Sequence, residues 1–404
     1  MSTVLAGDRA FAVHDYFDDL GPAQEALRIA RARDGHALCS CVQPPRRLVI
    51  REVRGTCYLA LWPNDGHLHH TACPFYRDHQ VDDAAAVPSA SIRLNADGLW
   101  DIALDSLRPL DAAPVERSSG TSSPSPAAAH DAPTPRRPRL PIEGLLHWLW
   151  TNSSLNRWGP GWKRDWWRVE RELTSASATA VVAGESLCHL MYVPPAFRRD
   201  REAAIRASWD AFATRLKPND AGTRSAALLV GHVKDIEPSP YGYRLSLRHF
   251  ASRLYVDPPV YAALAKQAPL ALSMVKLQQR MRCAVVGIFE VTMSAKGYLQ
   301  VRGGALMLTG ERFVTVSNLH ELALVNVLTA QERRFERPEP VANFCDFLLL
   351  DTARPTALEV FSLDSRDYQA MKQERQTASR DRGCDIWSWQ ISRSRECPPL
   401  PLPR

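Results

Sequence analysis

The sequence predicts a multidomain α+β chain, and three observations carry that prediction. Its 404 residues exceed what one ordinary hydrophobic core holds. Pairs of short strand-like runs joined by turn residues stand beside amphipathic helical stripes. Between them, residues 111–140 are rich in Ala, Pro and Ser and nearly empty of large apolar side chains, the composition of a flexible linker. The expected units are a zinc-ribbon-like domain over 1–110, the linker, a mixed α+β middle domain with antiparallel hairpins over 141–312, and an α/β module over 313–404. With 45% apolar and 23% charged residues the chain falls among globular proteins. Its net charge of +6, carried mostly by Arg, is compatible with phosphate contacts.

In the first unit a helix is expected from Gly21-Pro22 to Arg33, with Ala23, Leu27 and Ala30 at helical spacing. Leu48–Val53 and Cys57–Trp62 read as two strands, and Gly55 between them marks a hairpin turn. This hairpin separates two tight clusters of soft ligands. Cys39 and Cys41 lie on one side, His70 and Cys73 on the other. Folding the hairpin brings the pairs together, and four such ligands close one tetrahedral Zn²⁺ site with no open position, hence a structural role. His67, His69 and Cys57 also lie nearby. On spacing the fourth ligand is His70, with His69 as the substitute. Arg46, Arg47, Arg51 and Arg54 surround the site. On alternating strands, some must share a face with Tyr58 or Trp62, an arrangement suited to a nucleic-acid backbone and equally to a solvated basic hairpin.

The second unit opens with a short helix around Leu145, Leu146, Trp148 and Leu149, broken by Gly159-Pro160-Gly161. A second helix carries Trp162, Trp166, Val169 and Leu173 along one stripe. The six tryptophans from Trp148 to Trp167 are expected to be core rather than a base-stacking surface. Two hairpins follow, 227–236 with 243–250 and 283–292 with 299–308, which suggest an antiparallel sheet or small barrel. In the third unit Ser317 can cap a helix running to about Arg334. Strands are expected at 347–350, 357–361 and 385–391, with a charged helix over 366–380; the Pro-rich tail, 398–403, has no core to join.

Asp346 and Glu359 fall on successive strands of that unit. If the strands pair, both carboxylates meet and can hold Mg²⁺, which would polarise a phosphodiester and activate water. Glu321 on the preceding helix is a candidate third carboxylate. Against this stand the bland alternatives of a loop Asp and an edge-strand Glu.

The order helix with Glu, strand with Asp, strand with Glu, helix, strand resembles the restriction-endonuclease-like nucleases. That resemblance implies metal-dependent cleavage with a Lys two residues after the Glu. Here Phe361 occupies that place, and Lys372 on the next helix, with Arg375 behind it, is the substitute. Along most of its length the chain also resembles a bacterial family of unknown function marked by three N-terminal cysteines, here Cys39, Cys41 and Cys73. Further points of likeness are Arg157-Trp158, Val193-Pro194, Val233–Ile236, Tyr241-Gly242-Tyr243 and Leu350-Asp351-Thr352. This resemblance implies a setting on conjugative or integrative elements. The expected partner is nucleic acid, DNA in the first place. The alternative is a non-catalytic zinc adaptor for protein partners.

No apolar run reaches the ~18 residues that span a bilayer. The N-terminus, with Asp15, Asp18 and Asp19, lacks the order of a signal peptide, so a cytoplasmic location is expected. The remaining cysteines (nine in all) read mostly as small buried hydrophobes. There is no Walker loop, no Gly-rich dinucleotide turn and no Gly-x-Ser-x-Gly elbow, which argues against nucleotide and serine hydrolysis.

Overall fold

Alternating burial along the N-terminal strands builds the first sheet. A computed structural model describes residues 3–18, 20–53, 55–62, 65–70, 73–76, 90–107, 137–217, 225–338 and 344–404; Arg54 and residues 111–136 of the expected linker lie outside them. Strands β1 (Thr3–Ala6), β2 (Arg9–Ala12), β3 (His36–Cys39), β4 (Arg46–Val53) and β5 (Thr56–Leu61) form an antiparallel sheet in the order β2-β1-β3-β4-β5. The expected hairpin is thus the β4–β5 edge of a five-stranded sheet. Helix α1 (Gln24–Arg33) covers it, burying Ala26, Leu27 and Ala30 against Val4, Leu48 and Leu59.

Strands β6 (Ile92–Leu94) and β7 (Trp100–Ile102) follow, then helix α2 (Ile142–Asn152), strand β8 (Arg157–Trp158), helix α3 (Trp166–Ser177) and strands β9 (Ala180–Val182) and β10 (Glu185–Ser186). The second sheet runs β10-β9-β7-β6, with β7 and β9 parallel, so strand pairing crosses the expected boundary near 110. The end of the expected linker is also part of the fold. Leu140 donates its N–H to the Ala103 carbonyl at 2.7 Å, and the Arg137 side chain pairs with Asp101. Of the six tryptophans expected in the core, Trp150, Trp158 and Trp166 are buried, whereas Trp148, Trp162 and Trp167 are half-buried.

The two middle hairpins close a barrel. After the short β11 (Met191–Tyr192), strand β12 (Ala227–Ser239) pairs with β13 (Gly242–Leu247), and β13 with β14 (Leu254–Val256). Helix α4 (Pro258–Gln267) and two shorter helices, Pro269–Met274 and Gln278–Met281, then lead to β15 (Cys283–Met293) and β16 (Leu299–Gly310). β16 pairs with β15 and, in parallel, with β14; β15 pairs back onto β12, closing the circle.

The last unit contains helix α5 (Leu319–Ala330), strands β17 (Phe335–Glu336), β18 (Phe347–Leu349) and β19 (Thr356–Phe361), helix α6 (Arg366–Asp381) and strand β20 (Asp385–Gln390). Its sheet runs β20-β19-β18-β17-β8. The meander β17–β18–β19 is antiparallel, whereas β20 returns parallel to β19 after α6, as a crossover helix requires. β8 comes from before the expected boundary at 312. The barrel and this sheet share one core; Leu322, Val325 and Leu328 of α5 join Val285 and Leu308 on one side to Phe347 and Leu358 on the other. A helix apolar on most of its circumference is a buried helix. The Pro-rich tail, expected to join no core, docks here. Leu400 packs on the shared core, the Trp387 indole N–H donates to the Pro399 carbonyl, and the Arg404 N–H donates to the Asp351 carbonyl. Among the described residues no helix is long and apolar enough to cross a membrane.

Candidate functional site

The first site forms where β3 ends. Cys39 is the last residue of that strand, paired with Val4 and Arg46 across the ladders, and its side chain has no exposed surface. Cys41 lies in the following bend. A single helical turn, Gly66–Leu68, precedes His69, whose extended backbone turns its ring inward against Phe75. Cys73 is buried one turn later, its N–H donating to the His70 carbonyl.

The ligand atoms of Cys39, Cys41, His69 and Cys73 all lie within 4.8 Å of one another. Cys39 Sγ and Cys73 Sγ are 3.7 Å apart. Two thiolates on one tetrahedral zinc, each at ~2.3 Å, stand about 3.8 Å apart, so the donor set fits that ion. His69 Nδ1 lies 3.2 Å from Cys41 Sγ and 3.8 Å from Cys73 Sγ. The hydrogen bond from Cys73 outweighs burial and holds the Cys39 thiol down to about 4, while Cys73 is pushed far up. One thiolate is therefore favoured in the cluster.

His70, expected on spacing, takes a different part. Successive residues of extended chain face opposite ways, so with His69 turned inward the His70 side chain is exposed; its backbone N–H donates to Cys41 Sγ at 3.4 Å. The arginines divide as well. Arg47 is exposed, its guanidinium 5.5 Å from the Trp62 ring centroid, the form expected of a basic aromatic surface. Arg51 instead stands opposite Tyr58, a residue buried against Val53 and Cys188, and donates to the Ala178 carbonyl at 3.3 Å. It joins the first sheet to α3, and burial lowers its basicity. Arg46 sits beside Cys39 in the ladder, and Arg54 lies outside the described residues.

The second site lies between β18, β19 and α6. All six residues of β19 are buried, because Leu358 and Val360 face the shared core while α6 covers the other face. Glu359 is on that covered face, with no exposed surface. Asp346 immediately precedes β18, and Val360 N–H donates to its Oδ2 at 2.8 Å. Lys372 Nζ donates to Asp346 Oδ2 at 2.5 Å and to Glu359 Oε2 at 2.6 Å. Arg375, one turn further along α6, lies 3.2 Å from Asp346 Oδ1 and 3.3 Å from Glu359 Oε1. Glu359 Oε1 accepts no hydrogen bond. Tyr368, one turn before, donates to the Val360 carbonyl at 3.0 Å and sets its ring 5.7 Å from Lys372 Nζ.

The inward face of α6 thus buries a lysine where an amphipathic helix ordinarily places Leu or Ile. Burial raises the Asp346 carboxyl, but Lys372 and Arg375 overcome this and hold it below the usual range. Burial and the Asp346 charge push Glu359 up to about 8, against the same two cations. Burial lowers Lys372, and the two carboxylates more than reverse it. Of the two carboxyls, Glu359 is thus the one whose protonated form its surroundings favour. Glu321, the candidate third carboxylate, is committed elsewhere. It accepts from the N–H of Ser317, the residue before the cap, and from the Asn318 side chain and Arg337, so its charge is spent on the start of α5. Asn318, not Ser317, is the cap.

Both carboxylates contact one Nζ and Glu359 Oε1 faces Arg375 at 3.3 Å, so the cations these oxygens meet are the protein's own, and a divalent ion would be their competitor. Such an ion has to displace Lys372 Nζ from between them. No curated protein and no solved structure matches the chain. The profile of the family described as "Protein of unknown function (DUF1173)" matches residues 16–392, which takes in both sites. The chain belongs to that family.

Proposed function

We propose that the chain is a nucleic-acid-processing protein in which a structural zinc centre supports the N-terminal sheet and the C-terminal module cleaves phosphodiesters with a divalent cation. One observation carries this reading: Asp346, just before β18, and Glu359, on the adjacent β19, converge on Lys372 Nζ within a meander preceded by a helix and followed by a helix and a parallel strand. A divalent cation on the two carboxylates would polarise the phosphodiester and lower the pKa of bound water. Lys372, once freed from one carboxylate, would be the cation available to meet charge growing on the phosphoryl oxygens. Arg375 holds Asp346 ionised and thus ready to ligate.

A second reading is a non-catalytic zinc adaptor for protein partners, of the kind a conjugative or integrative element would carry. It is favoured by the burial of the same cluster, since Glu359 has no exposed surface and both carboxylates are already matched by cations. Buried ion pairs of this sort also occur as structure alone. Incubation of the intact chain with plasmid and with single-stranded DNA, in Mg²⁺ or Mn²⁺, separates the two. The proposal expects cleavage by wild type and at least a ~100-fold loss in Glu359→Gln, since a held Lewis acid supplies several kcal/mol. Absence of cleavage by a folded wild-type protein favours the adaptor.

A further inference from the structure

The barrel has a topology and a surface that neither candidate site uses. Its five strands close in the order β12-β13-β14-β16-β15, with β14 and β16 parallel and the helical segment 258–281 between the third and fourth strands. A five-stranded Greek-key barrel of this kind is the oligonucleotide- and oligosaccharide-binding architecture. Its ligands lie across strands two and three, between the loops that join strands one to two and four to five. Topology alone assigns no ligand, so the residues on that face have to decide.

They are mainly aromatic and basic; among the described residues, Asp257 is the one acid that lines the two clefts flanking Tyr255. Tyr255 on β14 points outward between the buried Leu254 and Val256; its cross-strand neighbours are Arg244 on β13 and Gln300 on β16. Tyr241 sits at the tip of the β12–β13 turn and is 92% exposed. Tyr298 ends the β15–β16 loop, 54% exposed, its ring edge-on to Tyr255 at 5.4 Å. Two clefts, of about 290 and 270 Å³, flank Tyr255. Arg253 and Tyr298 line the first, Tyr241 and Arg244 the second. Arg244 Nε–H, within the surface, donates to no partner, and the guanidinium's ion pair is with Glu237 at 3.9 Å, both side chains exposed. An exposed pair of that length is weak. Tyrosines this exposed add nothing to the core, and turn positions of this sort are ordinarily filled by Asn, Asp, Ser or Gly.

We propose that this face binds single-stranded nucleic acid, with unpaired bases stacked on Tyr241, Tyr255 and Tyr298 and phosphates held by Arg244 and Arg253. Stacking needs open base faces, which a duplex does not offer, and tolerates any sequence. The proposal deepens the processing function proposed above by naming a single strand as the substrate class, but it stands on residues separate from Asp346, Glu359 and Lys372.

The test is fluorescence anisotropy on the intact chain in the Glu359→Gln background, without added divalent cation, using labelled oligo-dT, oligo-U RNA, a DNA duplex and a labelled oligosaccharide. The expected result is binding of one or both single strands well ahead of the duplex and the sugar, with the tighter arm identifying DNA or RNA. Tyr255→Ala and Tyr241→Ala each weaken it about tenfold, whereas Tyr→Phe at the same positions retains it, because stacking needs only the ring. Arg244→Ala lowers the salt slope by about 0.7, one phosphate contact on a single strand. These side chains are exposed, so circular dichroism is expected to be unchanged. Single strands bound no tighter by wild type than by the triple Tyr→Ala variant, or a preference for the oligosaccharide or the duplex, overturns the proposal. If Tyr→Ala variants bind normally while Mg²⁺-dependent cleavage persists in the Glu359-containing chain, only the stacking surface is lost. If strands bind as expected but no cleavage occurs, only the carboxylate reading is lost.

Discussion

At the scale of single residues, the two sites show how far spacing goes and where it stops. Cys39, Cys41 and Cys73 were legible because closely spaced thiols and an imidazole flanking a hairpin are the donor pattern of a tetrahedral metal site. The choice between His69 and His70 was not, since it depends on which of two successive residues a short helical turn directs into the core. The consequence is measurable by metal analysis. Protein with one bound zinc is expected for wild type and for His70→Ala, and zinc-depleted protein for His69→Ala and Cys73→Ser. Loss of zinc by His70→Ala with retention by His69→Ala contradicts the site. At the second cluster the raised Glu359 carboxyl takes up a proton on folding. The stability it contributes is full below its usual value of 4.5 and is lost as pH rises through about 8. Denaturation of wild type between pH 6 and 9 is therefore expected to show falling stability, with a flatter profile in Glu359→Gln, whose amide keeps the neutral form. An equal slope in both proteins contradicts the assignment of the proton.

At the scale of elements, most strands and helices were readable from periodicity, and the departures have local causes. The N-terminal hairpin is one edge of a larger sheet because β1 and β2 are too short to stand out as alternating strands. α5 was expected, but with Ser317 as its cap and Glu321 as a candidate metal carboxylate, when Glu321 stands three residues after the Asn318 cap, where an acidic side chain serves the helix start. This yields a discriminating variant. Glu321→Gln weakens the cap and the pair with Arg337, and is expected to lower stability by about 1–3 kcal/mol, the range for a lost charged hydrogen bond. Cleavage per folded molecule is expected to be unchanged. A loss of cleavage comparable to that of Glu359→Gln, with stability intact, returns Glu321 to the site. The polar inner face of α6 was also visible as charge, but charge on a helix ordinarily signals solvent. Only the strand order, which puts β19 beneath α6, reveals that Lys372 is buried.

At the scale of the whole molecule, sequence boundaries and structural ones part company. Composition suggested a linker but could not show that β7 pairs with β9, that β8 extends the last sheet, or that the tail returns to Trp387, because long-range pairing leaves no local signal. Residues 313–404 alone lack β8 and the barrel side of their core. A fragment of that span is expected to show no cooperative thermal transition; a sharp one, with native circular dichroism, contradicts the shared core. The account rests most heavily on Asp346 and Glu359 accepting one divalent cation. Calorimetric titration with Mn²⁺ of zinc-loaded wild type, Glu359→Gln and Lys372→Met tests this directly. One Mn²⁺ is expected in wild type, tighter binding in Lys372→Met because the competing ammonium is gone, and none in Glu359→Gln. No Mn²⁺ in wild type and in Lys372→Met alike contradicts it.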